Sequence, residues 1–511
     1  MVKHIIEIPS RALAEFELQQ LIMIPGYKTK DMTSDSTDTS APLTKFSSNE
    51  KPKIKLNFAA LSSAMQSVTG PKMAISMAQE GGLGVIFCSQ PIDAQAKMVK
   101  NVKSHRAGFV IPDTVFPETA ISDVIKLSED RGHSTFPVVD NNGILLGYIT
   151  KNDFDRKRHS NLLVKDRMLP LDKISVAYDD EINDNLMTAY EKLIESHHGS
   201  LPIITREKKL KYAVFKKDID HHIDKPLAVL DAEKRYVVGA AINTSDYKQR
   251  VKALIEAGAD ILFIDTSQGH TDYVKDTLQF IKKEFSNVPI VGGNIVTREG
   301  FDFLAENGAD AVKVGMGPGS ICITQEQIGV GRGQGTSILE VAKARDDYYK
   351  KTGIYIPVIA DGGIRVAKDI TVAWALGADV VMAGKYFAGC DETPTKLRTM
   401  ARIVEGKTIE VREKPYWGEG SDKAKDWMIA GRYGQQDFPE GVEAWVPYAG
   451  TLKNHLTQAK AMIKDGMRKA GCSSIKDLHE NAVVQILSAG SIKEGGVHDV
   501  TVEKTEKSLN P

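Results

Sequence analysis

A three-residue signature recurs along the chain and limits what it can fold into. A helix-like stretch over 245–257 ends at Gly258-Ala259-Asp260, and Ile261–Ile264 follows as a short apolar run. The same order returns at Gly308-Ala309-Asp310 before Ala311–Val314, and at Gly377-Ala378-Asp379 before an apolar run over 380–382. A weaker copy joins a helix-like stretch at 72–80 to Gly81-Gly82 and a run at 85–87, and two more runs lie at 288–291 and 356–360. Each glycine sits where a helix closes in a left-handed cap. Short apolar runs between helices read as strands buried on both faces, the mark of a parallel sheet. Such units build either a doubly wound open sheet or a closed (β/α)8 barrel. Their persistence from the first third to the last quarter predicts the TIM barrel.

Composition removes several classes of function. Lys and Arg number 66 against 67 Asp and Glu, for a formal net charge of -1, which lacks the basic footprint of a dedicated nucleic-acid binder. The opening residues hold no apolar run of signal-peptide length, and no later run is long enough to span a membrane. Four cysteines (Cys88, Cys322, Cys390, Cys472), none in a CxxC pair, are no disulfide framework for a chain of 511 residues. The expectation is a soluble, cytoplasmic protein.

The barrel rhythm stops between about 107 and 224, where a different repeat appears with an offset of 65 residues. Thr135-Phe-Pro-Val-Val139 matches Ser200-Leu-Pro-Ile-Ile204, and Tyr148-Ile-Thr150-x-x-Asp153 matches Ala213-Val-Phe215-x-x-Asp218. Each copy reads as helix, strand, polar turn, strand and helix. The pair resembles the cystathionine-β-synthase-type (CBS) domains, an α+β regulatory insert that binds adenine or guanine nucleotides. The resemblance implies ribose and phosphate contacts from Thr150 and Asp153, whereas Phe215 departs from the pattern in the second copy. The implied division is a barrel over 1–106 and 225–511 with the CBS pair at 107–224. Two further stretches read as irregular: 30–51, rich in Ser, Thr and Asp, as a mobile loop, and 391–450 as a functional lid.

The densest chemical signal is Gly315-Met-Gly-Pro-Gly-Ser-Ile-Cys322-Ile-Thr324-Gln325, at the end of a barrel strand. Barrel active sites lie on such loops. Glycines at 315, 317 and 319 let backbone groups turn inward to hold an anion or small cation, a setting that suits a cysteine nucleophile. Thr324 is placed to position a water or leaving group. The plain alternative is a buried cysteine in a tight turn, just as Asp265 and Asp361 taken alone read as helix caps.

This loop resembles the active-site loop of the IMP dehydrogenase family. Further matches are Ser62-Ser63-Ala64-Met65, Asp265-Thr-Ser-Gln-Gly269, Gly292-Gly293-Asn294, Asp361-Gly362-Gly363 and Glu494-Gly495-Gly496, so the resemblance covers nearly the whole chain. It implies NAD-dependent oxidation of IMP to XMP in guanine nucleotide synthesis, through a covalent Cys322 adduct. Asp361 is implied at the ribose of IMP, and Ser320, Gly363, Gly384 and Tyr416 at its phosphate. Lys385 stands there where the family usually has Ser. Ser63, Met65, Asn294, Glu419, Gly420 and Glu440 are implied around the rest of IMP. Asp265, Thr266, Ser267, Gly315 and Gln325 are implied at NAD.

The resemblance also implies a mobile flap carrying Arg432 and Tyr433, which activate the hydrolytic water. Potassium is implied on carbonyls of Gly317, Gly319 and Cys322, completed by Glu494, Gly495 and Gly496 of a neighbouring subunit in a homotetramer. The Gly495-Gly496 pair read alone merely ends a strand. Two other functions stay open: a GMP reductase, which normally lacks the Arg-Tyr pair, and a non-catalytic nucleotide-sensing regulator.

Overall fold

Eight parallel strands close into a barrel: β1 (Ala60–Ser62), β2 (Leu83–Ile86), β3 (Gly239–Ile242), β4 (Ile261–Ile264), β5 (Ile290–Ile295), β6 (Ala311–Val314), β7 (Val358–Asp361) and β8 (Val380–Ala383). They pair in chain order, and β2 returns to β3 through Gly239 opposite Val85. The predicted TIM barrel is therefore correct. The computed structural model describes residues 15–105, 108–131, 134–155, 158–216, 219–220, 225–404, 407–425, 441–498 and 500.

The Gly-Ala-Asp signature has a structural cause. Gly258, Gly308 and Gly377 take φ of 95°, 95° and 108°, a region that favours glycine. The next alanine N–H bonds back five residues, from Ala259 to Leu254 O, Ala309 to Leu304 O and Ala378 to Ala373 O, as in a Schellman cap. The aspartate then ties its strand to the preceding one from both sides of its backbone. Val238 N–H donates to Asp260 Oδ2 (2.8 Å), Ile290 N–H to Asp310 Oδ2 (2.7 Å) and Val358 N–H to Asp379 Oδ2 (2.8 Å). The aspartate N–H groups donate in return to the carbonyls of Val238, Ile290 and Val358. Three strand pairs are thereby registered at the amino end of the barrel. The copy at Gly81-Gly82 has no aspartate; Gly81 O instead accepts from Asn57 and Phe58 N–H.

Several segments differ from the sequence expectation. The runs at 85–87, 288–291 and 356–360 become strands beginning at Leu83, Ile290 and Val358. The stretch 30–51 is not a plain loop. Thr37, Thr39, Ala41 and Leu43 are buried at alternate positions, and two-residue strands form at Ala41–Pro42 and Phe46–Ser47. Within 391–450 the described residues form an antiparallel sheet of Arg398–Val404, Lys407–Trp417 and Glu443–Pro447. Alternation of Thr408, Glu410 and Arg412 with Ile409 and Val411 carries the strand period there.

The chain folds into two compact units. One comprises Met1–Val102, Leu227–Val229 and Val237–Pro511 and holds the barrel; the other comprises Lys103–Pro226 and Leu230–Tyr236. The second unit displays its repeat in three dimensions. Strands Thr135–Val139 and Leu145–Thr150 correspond to Ser200–Ile204 and Leu210–Phe215, and both pairs bulge at the same place, Val138/Val139 and Ile203/Ile204. The copies meet reciprocally: Leu145 N–H donates to Lys208 O, and Leu210 N–H to Gly143 O. In the first copy the expected closing helix is absent among the described residues, where turns lead to a 3-10 turn at Val164–Asp166.

Candidate active site

The loop after β6 lies at the carboxyl end of the barrel. Gly315 has φ of 144°, and a Cβ there would fall 2.2 Å from the Asp361 carbonyl oxygen, so only glycine lets this loop cross β7 so closely. The loop turns through a bond from Cys322 N–H to Gly319 O and enters the helix Thr324–Ile328. Cys322 Sγ lies 3.1 Å from Thr324 Oγ1. Of the four cysteines, Cys88, Cys390 and Cys472 are buried and Cys322 is half-exposed. Burial pushes the Cys390 thiol up to about 12 and that of Cys472 to about 11, which leaves them unreactive. Cys322 and Thr324 instead border a cleft of about 180 Å³.

A charged network forms the floor of this cleft. Lys313, 3% exposed, reaches from β6 to Asp361 Oδ2 (2.7 Å) and Asp265 Oδ1 (3.4 Å). Asn294 Nδ2 donates to Asp361 Oδ2 (3.1 Å) and to Gly315 O (2.8 Å), which leaves its buried Oδ1 without a protein partner. A buried acceptor of this kind is satisfied by a ligand or water. Sequence reasoning missed Lys313. The available signal was a lone lysine inside the apolar strand Ala-Val-Lys-Val, which a fully buried strand tolerates only with partners.

The opposite wall comes from β1, β8 and the antiparallel sheet. Ser63 and Met65 follow β1, Gly384 follows β8, and Tyr416 is the penultimate residue of the middle strand of the sheet. A Cβ on Gly384 would lie 2.7 Å from the Tyr416 hydroxyl and 2.8 Å from Met65 Sδ, so all three converge. Burial first, and then the Asp361 charge, push the Tyr416 phenol well above its ordinary pKa, which keeps it a neutral hydrogen-bond donor. Gly418, Glu419 and Gly420 rim the cleft. On the far side of residues 426–440 the chain returns to the same place. Val442 N–H donates to Ile321 O, and Gly441 bridges Cys322.

Residues 16–498 match the IMP dehydrogenase / GMP reductase domain. The chain belongs to that family. It is 41% identical over 500 residues to the inosine-5′-monophosphate dehydrogenase of Tritrichomonas foetus, covering 96% of this chain and 97% of that protein. To the enzyme of that name from Escherichia coli K12 it is 35% identical over 492 residues, covering 95% and 96%. Among solved structures, a Trypanosoma brucei GMP reductase in complex with guanosine 5′-monophosphate aligns with a TM-score of 0.82 at 28% identity, covering 96% of this chain and 99% of that one.

Most residues singled out from the sequence gather at the cleft. Ser63, Met65, Asn294, Asp361, Gly384, Tyr416, Glu419 and Gly420 border it, as do Asp265, Thr266, Ser267, Gly315, Gly317 and Gly319. Ser320 is exposed on the same loop and Gln325 on the helix that follows it, with Gln325 Nε2 donating to Met316 O (3.1 Å). Gly363 is half-buried after β7, and Lys385 is exposed; neither belongs to the cleft wall. Glu494, Gly495 and Gly496 are exposed at the end of the helix Ala489–Glu494 and just beyond it. Arg432, Tyr433 and Glu440 lie outside the described residues, as does Asp218. In the second unit, Thr150 Oγ1 donates to Asp153 Oδ2 (2.8 Å), closing a tight turn. No helix among the described residues is long and apolar enough to cross a membrane.

Proposed function

We propose that the chain oxidises IMP to XMP with NAD, as the names of its curated relatives suggest. The observation that supports this most is the half-exposed Cys322, 3.1 Å from Thr324 Oγ1, at a cleft floored by Asp361, Asn294 and Lys313. In this reading the Cys322 thiolate adds to C2 of the purine while the C2 hydrogen departs as hydride. NAD supplies the hydride acceptor. Water then adds at C2, the C2–S bond breaks, and XMP leaves with Cys322 restored. Both Lys313 and Asn294 bond to Asp361 Oδ2, which leaves Oδ1 for the ribose hydroxyls of IMP. The neutral Tyr416 phenol suits a phosphate oxygen, and the unsatisfied Asn294 Oδ1 suits a ligand donor. Asp265, with Thr266 and Ser267 beside it, suits the nicotinamide-side ribose of NAD.

Arg432 and Tyr433 act on the hydrolytic water from the segment that leaves the cleft rim at Ser421 and returns at Gly441. The carbonyls of Gly317, Gly319 and Cys322 are neutral oxygen donors of the kind that replace the hydration shell of potassium. Gly317, at φ of 87°, turns the loop where a side chain would collide with Gln325. Residues 107–224 act as a CBS pair that takes adenine or guanine nucleotides at Thr150 and Asp153, in a cytoplasmic homotetramer.

The likeness to a GMP reductase favours a second reading, NADPH-dependent reduction of GMP. One spectrophotometer separates them: IMP with NAD gains absorbance at the reduced-nicotinamide band, and GMP with NADPH loses it. Cys322→Ser should bind IMP yet form no NADH, because a hydroxyl is far less ionised than a thiol. Appreciable NADH from that variant refutes the covalent route.

A further inference from the structure

Glu419 sits where the polypeptide rims the cleft, yet its carboxylate turns away into protein. It is 6% exposed. Its Oε1 accepts from the backbone N–H of Gln66 (2.6 Å), and its Oε2 accepts from the hydroxyl of buried Ser89. Gln66 follows β1, Ser89 follows β2, and Glu419 follows the long strand Lys407–Trp417, so one side chain joins three distant segments. The bonds around it tighten the same knot. Gln66 Nε2 donates to Ser89 O (2.9 Å), Trp417 Nε1 donates to Gln66 Oε1 (3.0 Å), and Ser67 Oγ donates to Trp417 O (3.1 Å). Beside these residues stand Met65, Gly418 and Gly420, all at the cleft.

We propose that the Glu419 carboxylate is a positioning group that clamps the 418–420 backbone against the loops after β1 and β2, and so sets affinity for the purine nucleotide without setting affinity for the dinucleotide. The proposal rests on the reading of this cleft as the nucleotide site. The physical argument is one of preorganisation. Two glycines flank Glu419, and glycine backbone is costly to order. Without an anchor, residues 418–420 would lose that freedom on each binding event. An acceptor held by two buried donors removes it beforehand, because both bonds are in place before the nucleotide arrives. Among the described residues, the bonds named above run between Glu419, Gln66, Ser67, Ser89 and Trp417, so the effect is expected at the purine nucleotide.

The test compares wild type with Glu419→Ala, Glu419→Gln and Ser89→Ala, by calorimetry with IMP alone and by steady-state kinetics with IMP and NAD. Glu419→Ala should weaken IMP binding roughly tenfold, about 1.4 kcal/mol, with KM for NAD changed by less than about twofold. Glu419→Gln still accepts from Gln66 N–H, and Ser89 can reverse its hydroxyl, so this variant should recover to within about threefold of wild type. Ser89→Ala should fall between the two. A merely structural role would raise both KM values together or lower kcat alone, and either result overturns the proposal. So does unchanged IMP affinity in Ser89→Ala, the variant that decides if Glu419→Ala fails to fold. Wild type that binds IMP without oxidising it refutes the activity reading, while the calorimetry still judges the clamp.

Discussion

Replacing Asp379 with Asn isolates what the Gly-Ala-Asp signature contributes. Asp379 is 3% exposed and takes three donors: Val358 N–H (2.8 Å) and Arg345 Nη1 (2.9 Å) on Oδ2, and the Tyr355 hydroxyl (2.7 Å) on Oδ1. Arg345 is itself 2% exposed. Burial works against its charge, yet Asp379, Tyr355 and Asp346 together hold its pKa above the ordinary value. Asparagine preserves shape and one carbonyl acceptor but deletes the charge, leaving a buried guanidinium supported by Asp346 at the surface. Breaking a buried pair from one side costs about 3–5 kcal/mol. The surviving Asp346 contact places the expected loss near the lower end, about 3 kcal/mol. Asp260→Asn is the comparison: it keeps the same type of backbone bond, and its carboxylate is only half-buried, so loss of the charge there should cost less, about 1 kcal/mol. Urea unfolding followed by tryptophan fluorescence reads both, with Trp374 buried in the helix that ends at this motif. Equal losses in the two variants would refute the reasoning, because the shared backbone bond would then carry the motif and the buried charge would not. The folded Asp379→Asn enzyme should keep its KM for IMP, since the substitution lies at the end of the barrel opposite the cleft.

Further outcomes are expected elsewhere. Burial holds the imidazoles of His455 and His479 below their usual pKa, so the unfolded chain binds more protons than the folded one beneath about pH 6.5. Stability should be complete above that pH and fall as the pH drops toward the folded-state values; urea midpoints at pH 7.5 and 5.5 check this, and His455→Gln should flatten the slope. Gly384→Ala would place a methyl 2.7 Å from the Tyr416 hydroxyl, and should weaken IMP binding at least tenfold by calorimetry; unchanged affinity would remove Tyr416 from the phosphate end. Arg432→Ala should spare the hydride step and slow hydrolysis by a factor of about 10² to 10⁴. Rapid mixing should then show a burst of roughly one NADH per site with the nucleotide trapped on the Cys322 peptide by mass spectrometry, and a slow burst with unmodified Cys322 would contradict that role.

What could be read from the sequence follows from where each residue's partners lie. Strands rich in Ile and Phe, such as the Ile-Leu-Phe-Ile of 261–264, announce themselves because their β preference and their burial agree. Ala60–Ser62 and Gly239–Ile242 escape such a reading because Ala, Gly and Ser have little preference for strands; they are small because helices and neighbouring strands approach closely, and a Cβ on Gly239 would meet Phe263 at 2.7 Å. The segment at 37–43 passes for a loop for a related reason. Its buried alternate positions are threonine and alanine as well as leucine, so composition points to solvent while the period of two points inward.

The site divides along the same line. Cys322 and Thr324 are two residues apart, so one loop displays them together, and the glycines before them are required by local backbone geometry. Lys313 and Asp265 are 48 residues apart, as are Lys313 and Asp361, and only barrel closure brings the three together. The same holds for Glu419, whose donors at Gln66 and Ser89 lie more than 300 residues away. A motif exposes residues that act through their neighbours in sequence; the residues that hold a motif in place act through the fold. Lys313 shows the difference most clearly. A lysine flanked by valines in a four-residue buried strand conflicts with its own environment until two carboxylates, Asp265 just after β4 and Asp361 at the end of β7, are set beside it, and that conflict is the one trace of its role that the sequence carries. A search for charged residues that violate the burial of their own strand would therefore have found Lys313, where the motifs supplied only its partners Asp265 and Asp361.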